Sequence, residues 1–169
     1  MPNWIEGSLK IRGQYDNVKR FFSDGINVYR NELIGENYYE LVEPRETWLI
    51  MEESGEKGER ELYLNIKDAR WVYVEGTKRA FITSEFIQAR ERTDGETVVC
   101  CNIQQAWCFR ERDWVNISNQ YGVDIKLHGF ESGMEFEQYV EVIDGVCKYN
   151  RETKYNDWEW DCPFPRLGG

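Results

Sequence analysis

The 169-residue sequence predicts an α+β fold built on an antiparallel sheet, and three observations carry that expectation. The chain opens in strand-like alternation and then switches to helical spacing. From Trp114 onward a helix, a strand, a turn and a second strand follow without a break. Asp144-Gly145 then lies between two alternating runs, where a type I′ hairpin needs positive φ at both central residues.

Taken in order, Leu9 and Ile11 alternate with Lys10 and Arg12 in a strand that ends at Gly13. Asp16 is placed to cap the helix that follows. Its apolar stripe is Val18, Phe21, Phe22 and Ile26, and Asp24-Gly25 begins to terminate it. Residues 27–46 mix aromatics with acids and give no assignable pattern. Residues 48–51 and 62–66 are strand-like runs on either side of a charged link, the pattern of a long-looped hairpin. Residues 71–74 are a further strand candidate, Gly76-Thr77-Lys78 a turn, and Ala80-Phe81-Ile82 either continues in extended form or starts a segment reaching Ala89. After a polar loop over 90–96, residues 97–109 read as one long strand, apolar in the middle.

Trp114, Ile117 and Tyr121 share one helical face that Gly122 stops, and Val123, Ile125 and Leu127 then alternate with Asp124, Lys126 and His128. Past the turn Glu131-Ser132-Gly133, a second strand puts Met134, Phe136, Val140 and Val142 on one face and Glu135, Glu137 and Glu141 on the other. Pairing Ile143 with Val146 across the hairpin sets Val142 opposite Cys147, Glu141 opposite Lys148 and Val140 opposite Tyr149. The chain therefore reads as one domain over 1–156, with an insertion at about 27–66, followed by an acidic aromatic tail over 157–169.

The formal net charge of −10 is unevenly spread. Over 32–61, ten acids against Arg45, Lys57 and Arg60 leave −7; over 131–162, nine acids against Lys148, Arg151 and Lys154 leave −6. That balance disfavours direct nucleic-acid and anionic-membrane binding, whose affinity comes from cations meeting phosphates, and suits a partner with a basic surface. The five cysteines are odd in number and include no Cys-x-x-Cys. With no signal peptide at Met1-Pro2-Asn3-Trp4, they point to free thiols in the cytoplasm.

Two separated blocks resemble the YubB-type domain family of plasmid and bacteriophage proteins. The first is Met1-Pro2-Asn3-Trp4 with Leu9, Ile11, Gly13, Val18 and Phe21; the second runs from Trp114 to Gly145, with Glu131-Ser132-Gly133 and Asp144-Gly145 at the family's turn positions. Gly76-Thr77-Lys78 and Trp107 resemble remnants of two further family segments. Ile5 and Gly7 depart from the family's usual Cys and Asn, and residues 27–66 and the tail match nothing in it. The resemblance implies a ferredoxin-like α+β sandwich, with two helices packed on one face of the sheet; the pattern of the remaining residues adds extra strands inserted in the middle and an extended C-terminal tail. It implies a mobile-element origin and no activity.

Among the residues that could carry chemistry, His128 is the sole histidine, so a Ser-His-Asp or Cys-His mechanism has one place to be built; on a polar strand face it is ordinarily a solvated side chain. A metal site from Cys147, His128 and Cys100 has no short-range ligand spacing behind it. The carboxylate pairs Glu135/Glu137 and Glu159/Asp161 could serve acid–base chemistry, although an acid-rich surface yields such pairs by chance. No glycine-rich phosphate loop is present, and the sequence implies no cofactor. The terminal Gly168-Gly169 resembles the end of ubiquitin-like modifiers, against which stands a frayed terminus.

Trp158 and Trp160 alternate with Asp157, Glu159 and Asp161, which in an extended tail puts both indoles on one side and the acids on the other. Such a pair suits a hot spot for a protein partner, or a tail folded back over a sheet edge. The partner-binding candidates are thus Trp158, Trp160, Asp157, Glu159 and Asp161, with Glu135, Glu137 and Glu141 on the sheet. The leading expectation is a non-enzymatic protein from a phage or related element that binds and inhibits a basic host protein, such as a nuclease or defence protein. A homodimer is compatible with it. The alternatives are a nucleic-acid-binding module using Lys67, Arg70, Lys78, Arg79, Arg90 and Arg92, and a small enzyme acting through His128 or a carboxylate pair.

Overall fold

Alternation of Ile5, Leu9 and Ile11 with more exposed neighbours makes Trp4–Gln14 a strand, β1, and burial of those three side chains sets its core face. It leads into α1 (Tyr15–Asp24), which buries Tyr15, Val18, Phe21 and Phe22. The computed structural model describes residues 3–34, 37–42, 48–67 and 72–169. After α1 come β2 (Ile26–Ile34), β3 (Asn37–Val42), β4 (Leu49–Ser54), β5 (Glu61–Ile66), β6 (Val72–Val74), β7 (Ala80–Ile82), β8 (Phe86–Arg90) and β9 (Glu96–Ala106). The chain closes with α2 (Glu111–Tyr121), β10 (Asp124–Glu131), β11 (Phe136–Ile143), β12 (Val146–Thr153) and the single turn α3 (Trp158–Asp161).

Nine strands run in the order β12-β11-β10-β1-β9-β7-β6-β2-β3, and β4, β5 and β8 form a second sheet. The first three residues of β2 pair with β6 and its remaining six with β3, so β2 and β3 extend past the body of the large sheet as a ribbon. On one face of that sheet Leu9, Ile11, Val99, Ile103, Ile125, Leu127, Val140 and Val142 meet α1 and α2 in a single apolar core. The two helices touch through Phe21 and Tyr121, whose rings stand edge to face at 5.5 Å. Gly129 lets the Phe109 ring lie against the β10 backbone, where an added Cβ would sit 2.7 Å from a ring carbon.

The small sheet adds Leu62, Leu64, Ile66, Ile87 and Ala89 to the same core and is joined to α1 by charge. Arg60 grips Glu91 through Nε and Nη2, each at 2.9 Å, donates from Nη1 to Asp16 at 2.7 Å, and lies over the Tyr15 ring at 4.1 Å. Glu91 also accepts the backbone N–H groups of Gly58 and Arg60. These bonds, Arg60's above all, hold its carboxyl at about 2, while burial pushes the Tyr15 hydroxyl up to about 12.

The two-helix, ferredoxin-like α+β expectation is overturned. Half of the chain is strand, in one large antiparallel sheet and a second three-stranded one, and the described helices are three and short. The physical reason lies in residues 26–106, which supply eight strands, β2 to β9. Of these, β2 and β3 fall almost wholly in residues 27–46, whose mixed aromatics and acids give no alternation to read, and Trp71 of the expected 71–74 strand lies outside the described residues.

Several local expectations are also corrected. Asp16 does not cap α1, since no side chain does; its carboxylate is taken by Arg60. Ile26 opens β2 and does not close the helix. The long strand β9 stops at Ala106, and Phe109 is buried beyond it. β11 starts at Phe136, which leaves Met134 and Glu135 in the preceding turn, Met134 at 59% exposure. The hairpin turn is as expected, with φ of 52° at Asp144 and 69° at Gly145, and Ile143 faces Val146 and Val142 faces Cys147. A bulge then shifts the register, so Glu141 faces Tyr149 and Val140 faces Asn150. Nor is the tail extended: it folds through α3 onto the large sheet. Among the described residues no helix is long and apolar enough to cross a membrane.

Candidate functional site

The face of β10 to β12 turned away from the helices carries an unbroken line of rings. Tyr149 meets Tyr139 at 5.5 Å, Tyr139 meets His128 at 5.9 Å, His128 meets Phe130 at 5.0 Å, and Phe130 meets Phe164 of the tail at 5.2 Å. The strand register builds the first part of this line, because His128 faces Tyr139 across the β10–β11 ladder. Phe130 builds the rest: as an apolar side chain on the polar face of β10 it needs a cover, and Trp158, Cys162, Tyr155 and Leu167 supply it.

Local bonds fix the tail on this platform. Trp158, 5% exposed, donates from Nε1 to the Pro165 carbonyl at 2.8 Å, and Asp157 accepts the Trp160 N–H at 3.2 Å. The terminus is docked: Ser132 Oγ donates to the Gly168 carbonyl at 2.6 Å, and the Gly169 N–H donates to the Trp4 carbonyl at 2.9 Å. Tyr155 donates to Glu137 Oε2, while His128 Nε2 lies 2.5 Å from Glu137 Oε1. Burial by itself would raise the Glu137 carboxyl, but the hydrogen bonds from Tyr155 and His128 outweigh it and hold that group below the usual range. The same carboxylate pushes the Tyr155 hydroxyl up to about 12.

Glu137 thus meets the tail through Tyr155, which stands just before it and whose ring packs against Trp158 at 5.8 Å. The two expected partner-binding segments, the sheet acids and the tail, do not meet as an acidic surface. Glu141 is paired with Lys126 at 2.8 Å, Glu137 is engaged by Tyr155 and His128, and Glu135 stands apart in the turn with φ of 55°. The acids of α3 are different: Glu159 and Asp161 are exposed around Trp160. Trp158 and Trp160 do not share a side, because one helical turn replaces the extended tail; Trp160 projects into solvent at 86% exposure. Sequence reading missed Tyr155, Phe130 and Phe164 as parts of this site, and the signal for them was Phe130 in the polar register of β10.

The basic stretch divides. The Arg90 carbonyl is bonded by Thr97 at the start of β9, and the Arg79 carbonyl by Ala106 at its end. At about 3.3 Å per residue the strand between them spans about 30 Å, so these cations form no single patch. Arg70 lies outside the described residues. Among the described residues no three potential metal ligands cluster, so Cys147, His128 and Cys100 do not come together as a site. Neither protein-family models, nor proteins of known function, nor solved structures show a match to this chain.

Proposed function

We propose that the protein is a binding module that engages a basic surface of another protein through Trp160 and the acids beside it. The observation that carries this reading is the 86% exposure of Trp160 on a segment otherwise folded down, next to a Trp158 that is buried. An indole on a loose tail would have to be ordered on binding. On a docked turn that ordering entropy is already lost, which is how aromatic hot spots gain affinity. Glu159 and Asp161 favour a receiving pocket rimmed by lysine or arginine. A nuclease or other protein that handles nucleic acid carries such a rim where phosphates bind, and occupying it would inhibit that protein.

The test is affinity capture from a lysate of the protein's own source, comparing the native chain with Trp160→Ala and Glu159→Lys. A basic protein held by the native chain, released as salt rises through a few hundred millimolar and lost with both variants, is the expected result. Capture that ignores Trp160→Ala, or that is insensitive to salt, would sink the reading.

A further inference from the structure

Trp107 and Arg79 mark a second place in the fold, independent of the tail, at the C-terminal end of β9. Trp107 has φ of 72°, and the Cys108 N–H donates to the Ala106 carbonyl at 3.0 Å, which makes Trp107 the centre of a three-residue γ-turn. That turn with positive φ is rare and strained, and a left-handed backbone is an outlier for a bulky residue. Burial does not compensate, since Trp107 is 58% exposed. Arg79 is a second left-handed residue, with φ of 61°.

The two strained positions adjoin. The Ala106 N–H donates to the Arg79 carbonyl at 3.1 Å, and the Trp107 N–H donates to the Asn3 carbonyl at 2.9 Å. Ala106 also faces Trp4 across the β1–β9 ladder, and the Arg79 guanidinium lies 5.3 Å from the Trp4 ring centroid. Lys78 is exposed beside Arg79, and its backbone is fixed at both ends: its N–H donates to Asp113 at 2.8 Å and its carbonyl accepts from Gln105 at 3.3 Å. Asp113 is further engaged by Gln105, and Glu75 by Asn27. The result is an exposed Trp107 on a fixed backbone that adjoins the backbone of the exposed Lys78 and Arg79, with Asp113 and Glu75 each accepting a hydrogen bond.

Strain retained without burial in return is characteristic of functional positions. We propose that Trp107, Lys78 and Arg79 form a binding site for a planar anion, specifically a nucleobase bearing a phosphate: the base stacks on Trp107 and the phosphate meets the cations. That chemistry has two sources, a free nucleotide and the phosphorylated end of a single strand. The net charge of −10 repels a long polyanion, so the free nucleotide is the favoured source.

Calorimetric titration of the full chain with AMP, adenosine, a 5′-phosphorylated oligo-dA and an oligoglutamate peptide tests the site. AMP is expected to bind, with adenosine weaker by at least about tenfold and Trp107→Gly lowering AMP affinity by at least about tenfold. Lys78→Gln and Arg79→Gln should weaken AMP and leave adenosine unchanged. Trp107→Gly should also melt no lower than the native protein, because glycine takes positive φ freely, which separates lost binding from lost folding. Tighter binding of the oligonucleotide than of AMP, still lost in Trp107→Gly, would uphold the site and name the strand end as its source. No nucleobase binding at millimolar ligand, binding unaffected by Trp107→Gly, a lower melting point for that variant, or tighter binding of the peptide would each overturn the proposal.

Discussion

Trp158 and Trp160 stand two residues apart in environments that give opposite expectations for the same substitution. Trp158→Ala removes the cover of Phe130 and the bond to Pro165, and truncating a buried tryptophan costs about 3 kcal/mol or more. Amide hydrogen exchange should show protection lost over residues 158–169 while β10 and β11 keep theirs. Trp160→Ala should change stability by less than about 0.5 kcal/mol in denaturant titration and should act on binding alone. Glu137 adds a pH dependence of known sign. Its folded-state pKa is depressed, so its contribution to docking the tail is present above the ordinary carboxylate pKa and is lost as pH falls through the folded value. Tryptophan emission should report that loss on acidification, and Glu137→Gln should abolish the step. Two residues mark what sequence could and could not give here. Phe130 was legible as an anomaly, an apolar residue in a polar register, but nothing in the sequence named its cover, because the contact spans more than thirty positions to Phe164.

At the scale of elements, the segments set by local periodicity were legible and those set by long-range pairing were not. Trp114, Ile117 and Tyr121 gave α2 and its stop at Gly122, which has φ of 66°. Asp144-Gly145 gave the hairpin turn, whose positive φ values are a property of two adjacent residues. The bulge one pair further on left no sequence mark, because Lys148 opposite Glu141 is as plausible a pair as Lys126 beside it. The small sheet has its own pH signature. The Glu91 carboxyl is held at about 2 chiefly by its hydrogen bonds to Arg60, so its contribution is intact above about 4.5 and fades as pH falls from there towards 2. The unfolding midpoint should therefore drop through that window in the native protein. Glu91→Gln should lower it at neutral pH and flatten the drop, whereas Glu59→Gln, on the exposed link, should do neither.

For the whole molecule, a strand–helix opening and a helix–strand–hairpin close were read correctly at the two ends, yet they did not fix the architecture between them. Within residues 26–106 the pairs β2–β3, β4–β5 and β6–β7 are neighbours in sequence, the second of them the expected hairpin, but β2 meets β6, β5 meets β8, β7 meets β9, and β1 meets β9 and β10 only across intervening elements. The charge pattern shows the same limit: acids on β11 that alternation places on one face become partners for Lys126, His128 and Tyr155 once the sheet and tail assemble. The surface proposed for a partner is the docked turn that carries Trp160. The most direct measurement is hydrogen exchange of the native protein with and without a basic protein isolated by the capture proposed above, read over the tail and over the rest of the sheet. Protection concentrated on residues 157–164, absent in Trp160→Ala, is the expected result; protection confined to β12 or to the 76–79 loop, with the tail unchanged, would contradict the account.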